Sequence, residues 1–343
     1  MTWMDPLRER LSWFCTVTAM VAFDADEFCA GSLSGGLVHP ATTMASAVEA
    51  ARITARSMPG DAVSHVKGLV GEEMSDETRL SVEQGRDGMM AIADARQEIE
   101  RFLADYVEQA DADGYVLGVS GGLDSAVTLQ LAVNAVGAGA VTGLVMPGKP
   151  SREEHMEDAR SLCSDLDVVV HEMDIEPVVD EFCSIAPFDP GPVATGNVRV
   201  RTRMVFTYLA ANHGDRLVLG SSNRTEALLG YFTKYGDGAA DVRPIADLYK
   251  TEVRELAQEL DLPPKFVEKP PSAGMWNDQT DREELGASYD VIDRVLMRLV
   301  DDGMSVAETV AETGIAEETV QRFAEMHRDR AHKRTPIPTP GIR

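Results

Sequence analysis

A chain of 343 residues is long enough for one large or two modest domains, and its formal net charge of −25 is extreme. Charge of that sign argues against a nucleic-acid partner, which needs clustered positive charge. No uninterrupted apolar run of about 18 residues is present to cross a membrane. Cys15, Cys29, Cys163 and Cys183 form neither a C-x-x-C pair nor a metal-ligand spacing, so free thiols in a reducing cytoplasm are expected.

Only seven of the 32 basic residues are Lys. Abundant Asp and Glu with scarce Lys resembles proteins of salt-loving organisms, in which concentrated salt screens a dense surface charge. An acidic docking face for a basic partner is the alternative.

Residues 1–70 carry seven acids and five bases, which leaves −23 on the other 273 residues. They are rich in Ala, Ser, Gly and Met and show no sustained periodicity. Their most apolar stretch, 13–23, is stopped by Asp24, Asp26 and Glu27 with no signal-peptide cleavage site after it. Residues 1–80 therefore read as a poorly ordered extension, or as sequence upstream of the true start. Residues 81–335 read as the main domain and 336–343 as a tail.

From Ile92 the pattern sharpens. Ile92, Ile99, Phe102, Leu103, Tyr106 and Val107 repeat at helical spacing. Strands are predicted at 115–119, 141–146, 168–171 and 216–220. Helices are predicted from 126, and at 153–166 with Ser151 as N-cap, 197–212, 250–260 and 289–300. Near the end, 306–312 and 317–326 flank Thr313-Gly314 like a helix-turn-helix. Glu317, Glu318 and Glu325 against Arg322 and Arg328 leave no basic recognition helix, so a packed helical pair is expected. Strands alternating with helices predict an α/β fold, a doubly wound parallel sheet with C-terminal helices. Ligands then bind at the carboxyl ends of the strands.

One run falls at such a strand end: Val116-Leu117-Gly118-Val119-Ser120-Gly121-Gly122-Leu123-Asp124-Ser125. A strand, a small-residue turn and a helix N-terminus make a phosphate cradle, with backbone N–H groups and the helix dipole aimed at the anion. Ser120 and Ser125 add hydroxyls. Asp124 would be repelled by phosphates unless a cation lay between them, which suggests Mg²⁺ bridging to a nucleoside triphosphate. The plain alternative is a tight turn with an incidental Asp. The Lys-Ser/Thr pair of a Walker loop is absent. Glu226, just past the fourth strand, is placed to share a cation with Asp124; alone, it reads equally as a surface acid on a helix.

Ser-Gly-Gly-x-Asp-Ser resembles the signature of the N-type ATP pyrophosphatases, whose fold is adenine nucleotide alpha hydrolase-like. Downstream come Thr233-Lys234-Tyr235-Gly236-Asp237-Gly238, Lys269-Pro270-Pro271-Ser272-Ala273, Gln279-Thr280-Asp281 and His332-Lys333-Arg334. In that order the blocks resemble ammonia-dependent NAD synthetases over residues 92–335. Two departures stand out: Arg282 and Glu283 interrupt the acidic run after Gln-Thr-Asp, and Ser221-Ser222-Asn223-Arg224 replaces a Thr-Asp-His stretch.

The resemblance implies a ligase, acting as a homodimer, that converts deamido-NAD to NAD with ATP, Mg²⁺ and ammonia through an adenylate. It implies that Ser120, Gly121, Gly122, Asp124, Ser125, Lys250 and Ser272 hold ATP. Asp124 and Glu226 would hold Mg²⁺, with Asp124 and Lys250 the catalytic groups. Arg201, Lys234, Asp237, His332 and Lys333 would meet deamido-NAD. Of Arg199, Arg201 and Arg203, only the outer two share a helix face, and Arg201 points elsewhere. The loops 147–152 and 269–283 are expected to close over nucleotide. Glutamine-using relatives carry an additional amidase domain, for which the 90 or so residues before the domain are too few, so free ammonia or a separate amidase chain is expected as donor. A tRNA thiolase, a GMP synthase core and a non-catalytic nucleotide-binding regulator are the competing readings.

Overall fold

The computed structural model describes residues 90–271 and 280–342. The expected extension at 1–80 and Ser272 lie outside the described residues. Four strands, β1 (Tyr115–Gly118), β2 (Val141–Val145), β3 (Val169–Glu172) and β4 (Leu217–Val218), form one sheet in the order β3-β2-β1-β4. Every pairing is parallel, with Tyr115 of β1 opposite both Val141 and Leu217.

The central strand reads Tyr-Val-Leu-Gly, apolar throughout because both of its faces are covered. On one face Tyr115 and Leu117 join a core with Leu103 of α1 (Ile92–Gln109), Leu129 of α2 (Leu123–Val136) and Leu162 of α3 (Glu153–Asp165). Leu256 of α7 (Lys250–Glu259) completes it. On the other face Val116 meets Leu144, Val179 of α4 (Glu176–Ile185) and Ala211 of α5 (Gly191–His213). The sheet is thus doubly wound, as expected.

The strand order places the site. The chain steps from β1 to β2 to β3, then returns along α4 and α5 to lay β4 on the opposite side of β1. That reversal opens a crevice at the carboxyl ends of β1 and β4. Around it stand the short helices α6 (Arg224–Leu229), α8 (Pro264–Val267) and α9 (Asp281–Leu285). A separate core joins α10 (Tyr289–Leu296), α11 (Val306–Thr313) and α12 (Glu317–Asp329) through Ile292, Leu296, Val320 and Phe323. The apolar face of α12 is spent on this core and α11 packs against it through Val306 and Val310, so the tail helices form a packed pair. The chain then ends through α13 (Ala331–Arg334).

Several boundaries differ from the sequence reading. Ser151 is not the N-cap of α3: Arg152 holds that position without a side-chain bond. Ser151 is used one turn earlier, where its N–H donates to the Gly148 carbonyl and its Oγ accepts from the Gly148 N–H at 3.0 Å. Helix α5 begins at Gly191, six residues before the predicted start, because a proline in its first turn has φ already set for a helix. Strand β3 begins one residue late, since Val168 turns into the core before the ladder starts. Helix α10 passes into a π turn at Met297–Asp301.

Candidate active site

The loop from β1 to α2 is braced by its own hydroxyls and packed against α3. Gly121 has φ +72°, and a Cβ there would fall 2.0 Å from the His155 carbonyl oxygen, so only glycine fits. The Ser125 hydroxyl accepts from the Ser120 N–H at 3.2 Å and donates to the Gly122 carbonyl at 3.0 Å. The Ser120 and Ser125 hydroxyls lie 3.0 Å apart. Gly122 is the N-cap of α2 and offers no side chain to cap it, so the first N–H groups of the helix face the crevice.

Opposite this loop a charged cluster is assembled from three distant segments. Asp124 comes from the first turn of α2, Glu226 from α6 and Lys250 from the start of α7. The Lys250 ammonium donates to Asp124 and lies 3.6 Å from Glu226. The two carboxylates expected to share a cation therefore do meet at one positive charge. Burial alone would lower the Lys250 pKa, but the two carboxylates outweigh it and hold the amine firmly protonated. Burial, and then the neighbouring Asp124, push the Glu226 carboxyl above the usual range, because one ammonium serves two acids.

Asn223 positions both acids. Its side chain accepts from the Glu226 N–H at 3.0 Å, while the Glu226 carboxylate reaches back to the Asn223 N–H at 3.4 Å, a capping box on α6. The same Asn223 donates from Nδ2 to Asp124 at 3.2 Å. Asp281, at the start of α9, is nearly fully buried, accepts from the Tyr289 hydroxyl at 2.8 Å and lines the crevice beside Lys250. Burial raises its carboxyl pKa. The Asn-x-x-Glu spacing was a readable sign of the capping box; the Gln279-Thr280-Asp281 block contained Asp281, but nothing in its spacing placed that acid beside Lys250.

The α5 arginines divide as their spacing required. Arg199 pairs with Glu176 at 2.8 Å, and Arg201 turns outward to the Lys234 carbonyl at 3.2 Å. Arg203 lines the crevice, with its Nε donating to the Met146 carbonyl at 2.9 Å. Burial, then Arg199, lower the Arg203 pKa. Spacing separated Arg203 from Arg201, but which of the two faces meets the crevice depends on how α5 packs.

Of the residues expected at the site, Ser120, Gly122, Asp124, Ser125, Glu226, Asp237 and Lys250 line this crevice. Gly121 shapes its floor from behind. Asp237 opens onto it, with Oδ1 accepting from the Thr233 N–H at 2.7 Å, and the surrounding protein raises its pKa. Arg201, Lys234, His332 and Lys333 lie outside the crevice lining. Lys234 donates to the His332 carbonyl at 2.9 Å, and Lys333 to the Gly230 and Phe232 carbonyls at 2.7 and 2.6 Å. These contacts strap α13 to the segment that carries Asp237.

Among the described residues no group of three or more His, Cys, Asp or Glu gathers as a metal cage. Two carboxylates beside an open anion cradle instead suit Mg²⁺, which takes few protein ligands and completes its shell with water and phosphate oxygens.

Comparison with known proteins identifies the family. Residues 95–337 match the NAD synthase family. The NH(3)-dependent NAD(+) synthetase of Halobacterium salinarum is 44% identical over 250 residues, covering 73% of this chain and 93% of its own. That of Thermococcus kodakarensis is 44% identical over 240 residues, covering 70% and 94%. Among solved structures, the NMN synthetase of Francisella tularensis superposes with a TM-score of 0.66 at 34% identity, covering 74% of this chain and all of that one. The NH3-dependent NAD synthetase of Campylobacter jejuni gives 0.63 at 29%, covering 73% and 99%. The chain belongs to the NAD synthase family.

Proposed function

We infer that the chain is a ligase that amidates deamido-NAD to NAD with ammonia and ATP, releasing AMP and pyrophosphate. The observation that carries this is the meeting of Asp124, Glu226 and Lys250 beside an open phosphate loop at the β1–β4 crevice, in a chain of this family. The nicotinate carboxylate attacks the α phosphate of ATP and pyrophosphate leaves. Ammonia then attacks the carbonyl carbon of the adenylate, AMP leaves, and a proton is lost.

The difficulty is bringing a carboxylate to a polyphosphate, and the protein meets it with placed charge. The α2 N–H groups, with Ser120 and Ser125, hold the pyrophosphate end of ATP. Lys250 offsets charge at the phosphates. Asp124 and Glu226 would hold Mg²⁺, which would supply positive charge to offset the phosphate oxygens. Asp237, with Arg201, Lys234, His332 and Lys333, receives deamido-NAD.

The homodimer is proposed on the same footing. Val205 and Leu209 form an exposed apolar stripe on α5, beside Arg201 and exposed Tyr235. A second copy covering that stripe would bring Arg201 to the seam. No helix among the described residues is long and apolar enough to cross a membrane.

The likeness to the Francisella NMN synthetase raises a second reading, in which the acid amidated is a mononucleotide. One experiment separates them. The protein is incubated in high salt with ATP, Mg²⁺ and ammonium, and with deamido-NAD or nicotinate mononucleotide in parallel. Formation of NAD and AMP at the higher kcat/KM supports the dinucleotide; a mononucleotide preference replaces it; no product from folded protein refutes both. Glutamine in place of ammonium tests the donor.

A further inference from the structure

The phosphate loop is fastened by a charge pair not among the residues expected at the site, one member of which, Lys269, itself borders the crevice. Lys269 follows α8, and its ammonium donates to the Gly121 carbonyl at 2.8 Å and to Asp158 on α3 at 2.5 Å. The second Asp158 oxygen meets Lys265 at 2.8 Å. The Lys269 and Asp158 side chains are both about nine-tenths buried, at 12% exposure. Asp158 stands one turn beyond His155, the residue against which Gly121 is pressed. Loop, α3 and the segment after α8 therefore converge on one ammonium.

The contact bears on the binding of anions through peptide geometry. The C=O and N–H of one trans peptide point in opposite directions. Holding the Gly121 carbonyl toward Lys269 turns the Gly122 N–H the other way, toward the inside of the loop, where it now donates to the Ser120 hydroxyl at 3.3 Å. Gly121 and Gly122 lack side chains to resist a flip of this peptide, so the orientation needs an outside hold. A cation on the carbonyl also polarises the peptide and strengthens its N–H as a donor.

We propose that Lys269, neutralised by Asp158, is a positioning residue that fixes the Gly121–Gly122 peptide with its N–H presented to the phosphates of ATP. The proposal rests on the ATP site inferred above. Asp158 keeps the ammonium on the carbonyl side, so Lys269 acts through the loop and not as a phosphate ligand itself.

The test uses the full chain with inorganic pyrophosphate as probe. Wild type, K269M, K269R and D158N are compared for pyrophosphate affinity by calorimetry, for KM of ATP and of deamido-NAD, and for thermal midpoint. K269M is expected to weaken pyrophosphate binding and raise the ATP KM about tenfold, with the deamido-NAD KM within twofold. K269R should restore most of the loss, and D158N should weaken pyrophosphate binding less than K269M does. Tighter pyrophosphate binding by D158N would overturn the proposal in favour of direct contact by a freed lysine. Equal changes in both KM values with a lower midpoint, or no change in K269M, would overturn it as well. A wild type that binds pyrophosphate but forms no NAD would count against the assigned reaction only.

Discussion

Two recessed carboxylates, Glu176 held by Arg199 and Glu226 in the crevice lining, show how scaffold and site differ. Glu176 is buried and well supplied: Arg199 reaches it with two N–H groups, and the Lys149 backbone N–H donates at 2.9 Å. The Arg199 contact leads in holding its pKa down, at about 2. Glu226 is recessed too, but shares one ammonium with Asp124, and its pKa is pushed up. The first acid has all the positive charge it needs. The second has less, and a further cation would complete it. Buried acids short of positive charge, set in a crevice, are the electrostatic mark of a functional site.

The sharpest way to break this contrast is Asp124→Asn. It removes half of the acid pair and the main partner of Lys250. The expected loss in kcat/KM is about 10³-fold, about 4 kcal/mol, read by steady-state kinetics at saturating Mg²⁺. A loss under tenfold would mean that the pair is scaffold like Glu176.

Glu176→Gln should leave the chemistry alone and cost about 3 kcal/mol of stability at pH 7, since Arg199 loses its buried partner. The folded pKa of Glu176 is depressed from 4.5 to about 2. Its stabilisation is therefore full above about pH 4.5 and fades as pH falls toward 2. The gap in thermal midpoint between wild type and variant should close over that window.

Glu226→Gln should do the reverse. Activity should fall about 10²-fold, while stability relative to wild type improves as pH rises above 4.5, the ordinary value of the group. The sign follows from the raised folded pKa: the neutral form is the one that favours folding, and glutamine is neutral at every pH. Opposite pH trends in the two glutamine variants would confirm the contrast, and parallel trends would end it. The smallest effect expected is from Asn223→Ala, about 1 kcal/mol of stability for the lost helix cap, read by denaturant unfolding.

The phosphate loop was legible because its parts are contiguous: strand, glycine turn and helix start all fall within 116–125. The pairing of Asp124 with Glu226 was legible once both stood at strand ends, since parallel α/β sheets gather such ends along one edge. Lys250 as the cation between them, Asp281 as a third acid and Arg203 as the inward arginine were not. Each depends on the angle at which a helix packs, and that angle is set by side chains far away in the sequence, such as buried Asp293, which binds Thr225 at 2.6 Å and the Thr251 N–H at 2.9 Å. Ser151 was misplaced for a local reason: a turn and a helix start compete for one hydroxyl, and the turn takes it.

Asn223 leaves a narrow choice of replacements. Helix starts accept Asn, Asp, Ser or Thr almost interchangeably. At this position the side chain must accept from the Glu226 N–H on one side and donate to Asp124 on the other. Asp could accept but would repel its neighbour, while Ser and Thr are too short for a two-sided reach. Of the four residues that ordinary helix grammar allows, the crevice retains one, so an exchange that is silent at most helix ends would here be felt in the alignment of the acids.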